Sequence, residues 1–316
     1  MSRMDADSTA FTRVWRARSV QAGRLVWSVF RALLIIGICY VILFPLLGKL
    51  ATSFMAEVDM FDPTVHWVPR HFTLDNYRTV LDAIDYFGCL RNSFGLATMV
   101  AVLQLASCTL VGYGFARFDF RGREFLFALV LLTLIVPPQM IMIPLYLSFR
   151  YFDPLGLLPG NGINLLNSYW PFALTSATAM GMRNGLFIYI MRQYFRGMPA
   201  ELEEAAYVDG AGALRTFFQV MLPSAVPVMV IVFLFSFVWQ WNDDFYSTLF
   251  MARGQLLSST IETLPLLILG DVYRTSHLAS ILNNTGMMLT IGPMLILYAL
   301  LQRHFVESVE RSGLVG

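Results

Sequence analysis

The chain has 316 residues, of which 57% are hydrophobic and 14% charged, with a mean hydropathy of +0.61 and a net charge of +1. Soluble domains carry about 25% charged residues, so this composition excludes an ordinary water-soluble globule and points to lipid as the surrounding medium. The near-neutral balance gives no electrostatic footprint for nucleic acid, and nucleic-acid binding is not expected.

Residues 1–31 are polar and hold six arginines. They read as a cytoplasmic tail. Ala32–Leu50 is a nearly unbroken apolar run, long enough at 1.5 Å per residue to cross about 30 Å of hydrocarbon. It exceeds the core of a signal peptide and reads as an uncleaved first span. Residues 51–93 are mixed, with Pro63 and Pro69, and are expected outside. Phe94–Ala116 reads as a second span, followed by a short basic loop, 117–123. Phe125–Leu147 reads as a third span broken by Pro137, Pro138 and Pro144. A Gly-, Pro- and Asn-rich external loop, 148–168, leads to a fourth span from about Tyr169 to Ile190, interrupted by Arg183-Asn184. Polar residues 191–225 return to the cytoplasm. Val226–Trp241 reads as a fifth span, 242–286 as external, and Met287–Leu301 as the core of a sixth.

The orientation follows from the basic residues. With the N-terminus inside, cytoplasmic segments hold 14 of the 22 lysines and arginines and external segments hold six; Lys49 and Arg183 fall within spans. The expected fold is an all-α integral membrane protein with six transmembrane helices and both termini cytoplasmic. The expected division is a tail (1–31), a first helix with its external segment (32–89), a transmembrane module (90–302) and a C-terminal tail (303–316).

The segment between the fourth and fifth spans departs from the usual short, basic cytoplasmic loop. Pro199 stands near a helix start, and Glu201, Glu203 and Glu204 fill the first turn, where negative charge complements the helix dipole. Leu202, Ala205 and Ala206 are expected to form a small-residue face. Asp209-Gly210 stops the helix, because glycine accepts the left-handed conformation of a tight reversal. A second short helix is expected over Leu214–Val220, before Leu222-Pro223 re-enters the membrane. Together these make a coupling helix-turn-helix, a knob that fits a groove on another protein.

This segment resembles the EAA loop of ATP-binding-cassette importer permeases of the binding-protein-dependent (type I) family, with Glu204, Ala205, Ala206, Gly210, Leu222 and Pro223 at the pattern positions. Arg192-Gln193-Tyr194-Phe195, Phe72-Thr73-Leu74-Asp75-Asn76-Tyr77, Asn92-Ser93, Trp241-Asn242 and Gln302-Arg303-His304-Phe305-Val306 are similar to its carbohydrate branch, the maltose- and multiple-sugar-like permeases. The resemblance runs from about residue 66 to the C-terminus. It implies a second, usually non-identical permease, two ATP-binding subunits that bind ATP and Mg, a solute-binding protein outside the cell and a sugar substrate. It also implies a multi-pass protein of the bacterial inner membrane with no cofactor of its own. Glu204 would be the ionic contact to the ATPase, Ala205 and Ala206 the close-packing face, and Asp209 and Gly210 the turn. The ending Gly313-Leu314-Val315-Gly316 lacks the lysine of the tail with which such permeases reach the ATPase.

Candidates for the substrate pathway are Arg183 and Asn184 in the interrupted fourth span, Trp241 and Asn242 at the end of the fifth, and Asn283 and Asn284 before the sixth. A charge at bilayer depth is costly and often functional; aromatic faces and amides suit sugars. Each also has a structural alternative: a broken span for Arg183, an interfacial anchor for Trp241, helix capping for the amides. Cys39, Cys89 and Cys108 have neither zinc nor CxxC spacing, the four histidines are scattered, and Met140, Met142, Met180 and Met182 read as packing residues. No metal site is expected. Two other readings stand beside the sugar permease. One is a permease for a different polar solute, such as a polyamine or glycerol phosphate. The other is a secondary transporter or membrane enzyme, which would need mid-span acids or a nucleophile constellation.

Overall fold

The structure is a computed structural model and describes residues 4–157, 162–251, 256–270 and 277–313, with the side chains of 4–23, 155, 301 and 303–313 left aside. The described residues are helical, with only two isolated bridges, Met55 to Phe72 and Phe152 to Ile163. In chain order the helices are α1 (Met4–Ser53), α2 (Asp75–Ala83), α3 (Tyr86–Arg117), α4 (Arg123–Leu132), α5 (Met142–Arg150), α6 (Trp170–Ala177) and α7 (Asn184–Gly197). Then follow α8 (Glu201–Val208), α9 (Ala213–Thr216), a π-helical turn (Phe217–Met221), α10 (Leu222–Ser224) and α11 (Val226–Trp241). Three short helices, α12 (Phe245–Phe250), α13 (Leu257–Glu262) and α14 (Leu264–Leu269), precede α15 (His277–Gly313).

Among the described residues, three stretches are single helices long and apolar enough to cross a membrane: Arg24–Ser53 in α1, Tyr86–Arg117 (α3) and His277–Leu300 in α15. A bent pair, Ala213–Ser224 with Val226–Trp241, can form a fourth. The remaining two expected spans are each split. The third becomes α4 and α5 around a 3-10 turn, Pro138–Ile141, because two consecutive prolines remove donors from any continuous ladder. The fourth becomes α6 and α7, separated where Ala179 and Arg183 adopt left-handed backbone at φ 59°. The second half runs on past Ile190 to Gly197. The tail expected over 1–31 belongs, from Met4 onward, to the same helix as the first span. The expected external segment 242–286 carries α12, α13, α14 and the start of α15.

The chain divides into two units, one of Met1–Tyr77 with Ser276–Met288 and one of Arg78–Thr275 with Leu289–Gly316. In the first, α1 ends in a small polar knot. Asn76 Nδ2 donates to the carbonyls of Ser53 and Met55, both at 2.9 Å, and Tyr77 Oη lies 2.8 Å from Ser53 Oγ. Phe54 stacks on Phe72 at 5.1 Å. The Phe72–Tyr77 motif is thus what closes the end of α1. His71 Nδ1 lies 2.6 Å from the buried Asp59 carboxylate, and this hydrogen bonding lowers the Asp59 pKa from its ordinary value.

In the second unit α3 is the central post, packed by α6, α7, α11 and α13. Two apolar clusters sit along it. One gathers Cys108, Tyr113, Phe187, Met191, Phe195, Phe217 and Met221; the other gathers Leu96, Val100, Phe149, Phe172 and Phe250. Lipid supplies no hydrophobic drive between helices, so close contact rests on small residues and hydrogen bonds. Gly112 meets this need: a Cβ there would lie 2.6 Å from Met191 Cβ and 3.0 Å from the Arg192 backbone nitrogen. α3 and α7 therefore touch backbone to backbone.

Candidate functional site

The helix-turn-helix forms as its sequence dictates. Glu201, Glu203 and Glu204 occupy the first turn of α8, where negative charge complements the helix dipole. The helix ends on a reversal in which Gly210 takes φ +80° and the Ala211 amide donates back to the Ala206 carbonyl at 2.9 Å. This is the closure that a glycine after the C-cap permits. α9 follows and passes into the π turn and α10. The axis then bends by 75° into α11. Pro223 and Pro227 flank the bend; each lacks the amide that would carry a straight ladder through it.

α8 presents two faces. Glu203, Ala206, Thr216, Phe217 and Met221 point inward and are buried. Leu202, Glu204, Ala205, Tyr207, Val208, Leu214 and Phe218 are exposed; Val208 is 87% and Leu214 76% accessible. The expected small-residue face is therefore split: Leu202 and Ala205 lie outside, Ala206 inside. Of the expected contact residues, Asp209, Gly210 and Pro223 are exposed and Leu222 is half-buried.

Sequence reasoning took Glu203 only as one of three dipole-complementing acids. In the structure it is the anchor. Tyr113 Oη donates to Glu203 Oε1 at 2.8 Å, and Arg117 Nη1 lies 3.5 Å from Oε2. Arg117 Nη2 donates to the Met198 carbonyl at 2.7 Å. The Tyr113 ring packs against Phe195 and Phe217, with centroids 5.3 and 4.7 Å away. Tyr113 and Arg117 are four residues apart on one face of α3, a spacing that was readable in the sequence.

The Arg192–Phe195 motif is absorbed in the same way. Arg192 is buried, 3.9 Å above the Phe127 ring, and its Nη2 donates to both Glu124 oxygens at 2.9 and 3.0 Å. Tyr194 Oη donates to the Ser224 carbonyl at 2.7 Å. Phe195 is fully buried between its neighbours. The motif ties α7 to α4 on one side and to α10 on the other.

A second polar group lies higher on α3, at the break between α6 and α7. Gln104 Nε2 donates to the Met182 carbonyl at 3.0 Å, Ser236 Oγ donates to Gln104 Oε1, and Ser107 Oγ donates to the Ser176 carbonyl at 2.6 Å. All four side chains concerned, Gln104, Ser107, Ser236 and Asn184, are buried. Inside a bilayer every freed carbonyl needs a partner. α3 supplies those partners from a neutral amide and a hydroxyl, and Ser236 of α11 holds the amide in place.

The pathway candidates separate accordingly. Arg183 is exposed, caps α7 in a left-handed conformation and lies 4.5 Å over the Trp239 ring. Asn184 is 2% exposed beneath it. Trp241 is 5% exposed, stacked 6.2 Å from Phe237. It forms part of the wall of an apolar groove of 760 Å³ with Tyr86, Phe94, Phe237, Pro293 and Leu297. Asn242 closes α11 by donating to the Val238 carbonyl at 2.8 Å. In the other unit Asn283 and Asn284 are half-buried, and Lys49 Nζ lies 3.4 Å from Asn284 Oδ1 and 3.1 Å from Met287 Sδ. The tail contact in doubt, 314–316, lies outside the described residues. No group of three His, Cys, Asp or Glu side chains able to hold a metal occurs among the described residues.

Residues 109–310 match the family described as binding-protein-dependent transport system inner membrane component. The chain is 30% identical over 288 residues to an osmoprotective compounds uptake permease protein of Synechocystis, covering 87% of this chain and 88% of that one. It is 29% identical over 283 residues to an arabinooligosaccharides transport system permease protein of Halalkalibacterium halodurans, covering 88% and 93%. Among solved structures it resembles a chain of a bacterial ABC transporter involved in the import of the acidic polysaccharide alginate. There the TM-score is 0.69 at 20% identity, over 89% of this chain and 96% of that one.

Proposed function

Because the chain belongs to the family of binding-protein-dependent transport inner membrane components, and is thus a membrane-embedded transport subunit and not an enzyme, we propose that it forms half of the pathway for a sugar or oligosaccharide. In this reading it crosses the bacterial inner membrane six times with both ends in the cytoplasm. The split third and fourth spans each count as one crossing. A second permease completes the pathway. An extracytoplasmic binding protein delivers the solute, and two ATP-binding subunits hold ATP and Mg.

The observation that carries this reading is the division of α8 into an anchored inner face and an exposed outer one. Glu204, Ala205, Leu202, Val208 and Leu214 stand free on a knob whose opposite side is fixed. Such a surface suits the groove of an ATPase, with Glu204 meeting a basic residue there and Gly210 keeping the reversal tight. Leu222 and Pro223 set the exit into the bent fifth span. A sugar is favoured because a similar permease is named for arabinooligosaccharides, and because the aromatic wall at Tyr86, Phe94, Phe237 and Trp241 suits the C–H faces of pyranose rings. In this proposal Arg183, Asn184, Trp241, Asn242, Asn283 and Asn284 are residues of the substrate pathway.

The test is purification of the assembled complex with its ATPase. Glu204→Lys reverses the contact charge, and Gly210→Pro cannot adopt φ +80°. Both variants should reach the membrane at normal levels and lose sugar uptake by about tenfold or more, equivalent to 1.4 kcal/mol of coupling. Normal uptake by both variants would defeat the assignment.

A further inference from the structure

We propose that Glu203, held by Tyr113 and Arg117, is the positioning residue through which movement of the helix-turn-helix reaches the membrane-embedded post α3. This inference rests on the coupling role just proposed and assigns the inner face of the same knob a task of its own.

The covalent connections of α8 are poor levers. Toward α7 the link is Met198, in extended backbone at ψ 141°, followed by Pro199. Toward α11 the link runs through a π turn and a 75° bend. Extended links and π turns yield under load. Among the described residues, the polar side-chain tie from α8 itself to the long helix α3 is the Glu203 carboxylate, bonded to Tyr113 at 2.8 Å and paired with Arg117 at 3.5 Å.

From that tie α3 runs without a break to Ser107 and Gln104, six and nine residues away and so about 9 and 14 Å along the axis. Those two side chains hold the Ser176 and Met182 carbonyls of the split span. A displacement of α8 that moved α3 would therefore act on the break between α6 and α7. No further flexible element intervenes.

The tie also has a second arrangement within reach. The Arg117–Glu203 separation of 3.5 Å exceeds the 2.7–2.9 Å of a closed charge-assisted bond. The Arg117 Nε is buried and has no hydrogen-bond partner, which is costly to leave so. A shift of α8 toward α3 closes the pair. The adjacent carboxylates then divide the work, Glu204 facing the ATPase and Glu203 facing the chain's own membrane helix.

The test uses the assembled importer in lipid nanodiscs, with both faces open to reagent. Phe87→Cys, exposed in the first turn of α3 at the end away from Tyr113 and Arg117, serves as parent, and labelling of the native cysteines is subtracted. The probe is a hydrophilic maleimide, applied with and without ATP plus orthovanadate. The parent should change its labelling rate by about fivefold or more. Adding Glu203→Ala should abolish that change while the ATPase still co-purifies. Glu203→Gln, which keeps the shape and the Tyr113 bond, should retain at least about half of it, a rescue that loss of folding would not give.

An unchanged response in Glu203→Ala, with Glu204→Lys losing its response, overturns the positioning role alone. A parent with no response to ATP and vanadate overturns the coupling reading and this inference together. An equal loss in Glu203→Ala and Glu203→Gln, with the ATPase gone from both, also overturns it, because the residue then serves assembly only.

Discussion

The knob at α8 and the break between α6 and α7 both hang from α3, yet they are fastened by different chemistry. The knob is held by ions: Glu203 with Arg117, and behind it Arg192 with Glu124. The break is held by neutral groups: Gln104, Ser107 and Ser236. Desolvating a charge costs far more than desolvating an amide or hydroxyl that keeps its hydrogen bonds. Ion pairs therefore fit the end of α3, and neutral amides fit its middle. Arg183, at the break itself, lies out on the Trp239 face and not among the buried amides. Charge fastens the knob, and neutral polarity fastens the break in the span.

The contrast predicts opposite sensitivities. The largest effect belongs to the shared contact that both regions need. Gly112→Val places atoms on Met191 at a position where even a Cβ would lie 2.6 Å away. It should cost about 3 kcal/mol and remove most folded protein from the membrane, measured as the detergent-stable fraction on size exclusion. Wild-type recovery would show that α3 and α7 are not in backbone contact.

Next is Gln104→Leu, which strips the Met182 carbonyl and Ser236 of their partner. It should destabilise by about 1–3 kcal/mol and lower the thermal midpoint, with the ATPase still attached. Loss of the ATPase without loss of stability would erase the distinction between the two regions. The smallest effect is expected for Arg183→Ala. Its contact with Trp239 at 4.5 Å is an exposed cation–π pair, worth about 0.5–1 kcal/mol. Stability should hardly move, and uptake should fall. Unaltered uptake would remove Arg183 from the proposed pathway.

Much of this was legible in the sequence, for identifiable reasons. Composition alone placed the chain in lipid. The Asp209-Gly210 stop was readable because only a left-handed residue closes such a turn. Arg183-Asn184 marked the break in the fourth span because a charge interrupts an apolar run. Other features were hidden. Three glutamates within one turn look alike to composition and spacing; the resemblance singled out Glu204, but only docking of the helix shows Glu203 as the inward one. The same holds for Leu202, Ala205 and Ala206, whose expected common face divides on docking. Gln104 and Ser107 passed unremarked in the second span, because their partners are backbone carbonyls more than 60 residues away. Nor did the arginines of the N-terminal segment reveal that its helix continues into the first span: a polar tail and a polar helix have the same composition.

The placement of Glu203 on the inner face and Glu204 on the outer face of α8 has a consequence for how this region can change through descent. Each residue of an α-helix turns the chain by about 100°. One residue inserted between Pro199 and Glu203 would carry the inward carboxylate away from Tyr113 and bring Leu202 into its place, and one residue deleted there would bring Glu204. Substitutions on the outer face leave this geometry intact and can drift with the partner they meet. Insertions and deletions in the lead-in cannot be repaired by any single replacement. The spacing from Pro199 to Gly210 should therefore stay constant among descendants of this chain even where the letters between them do not.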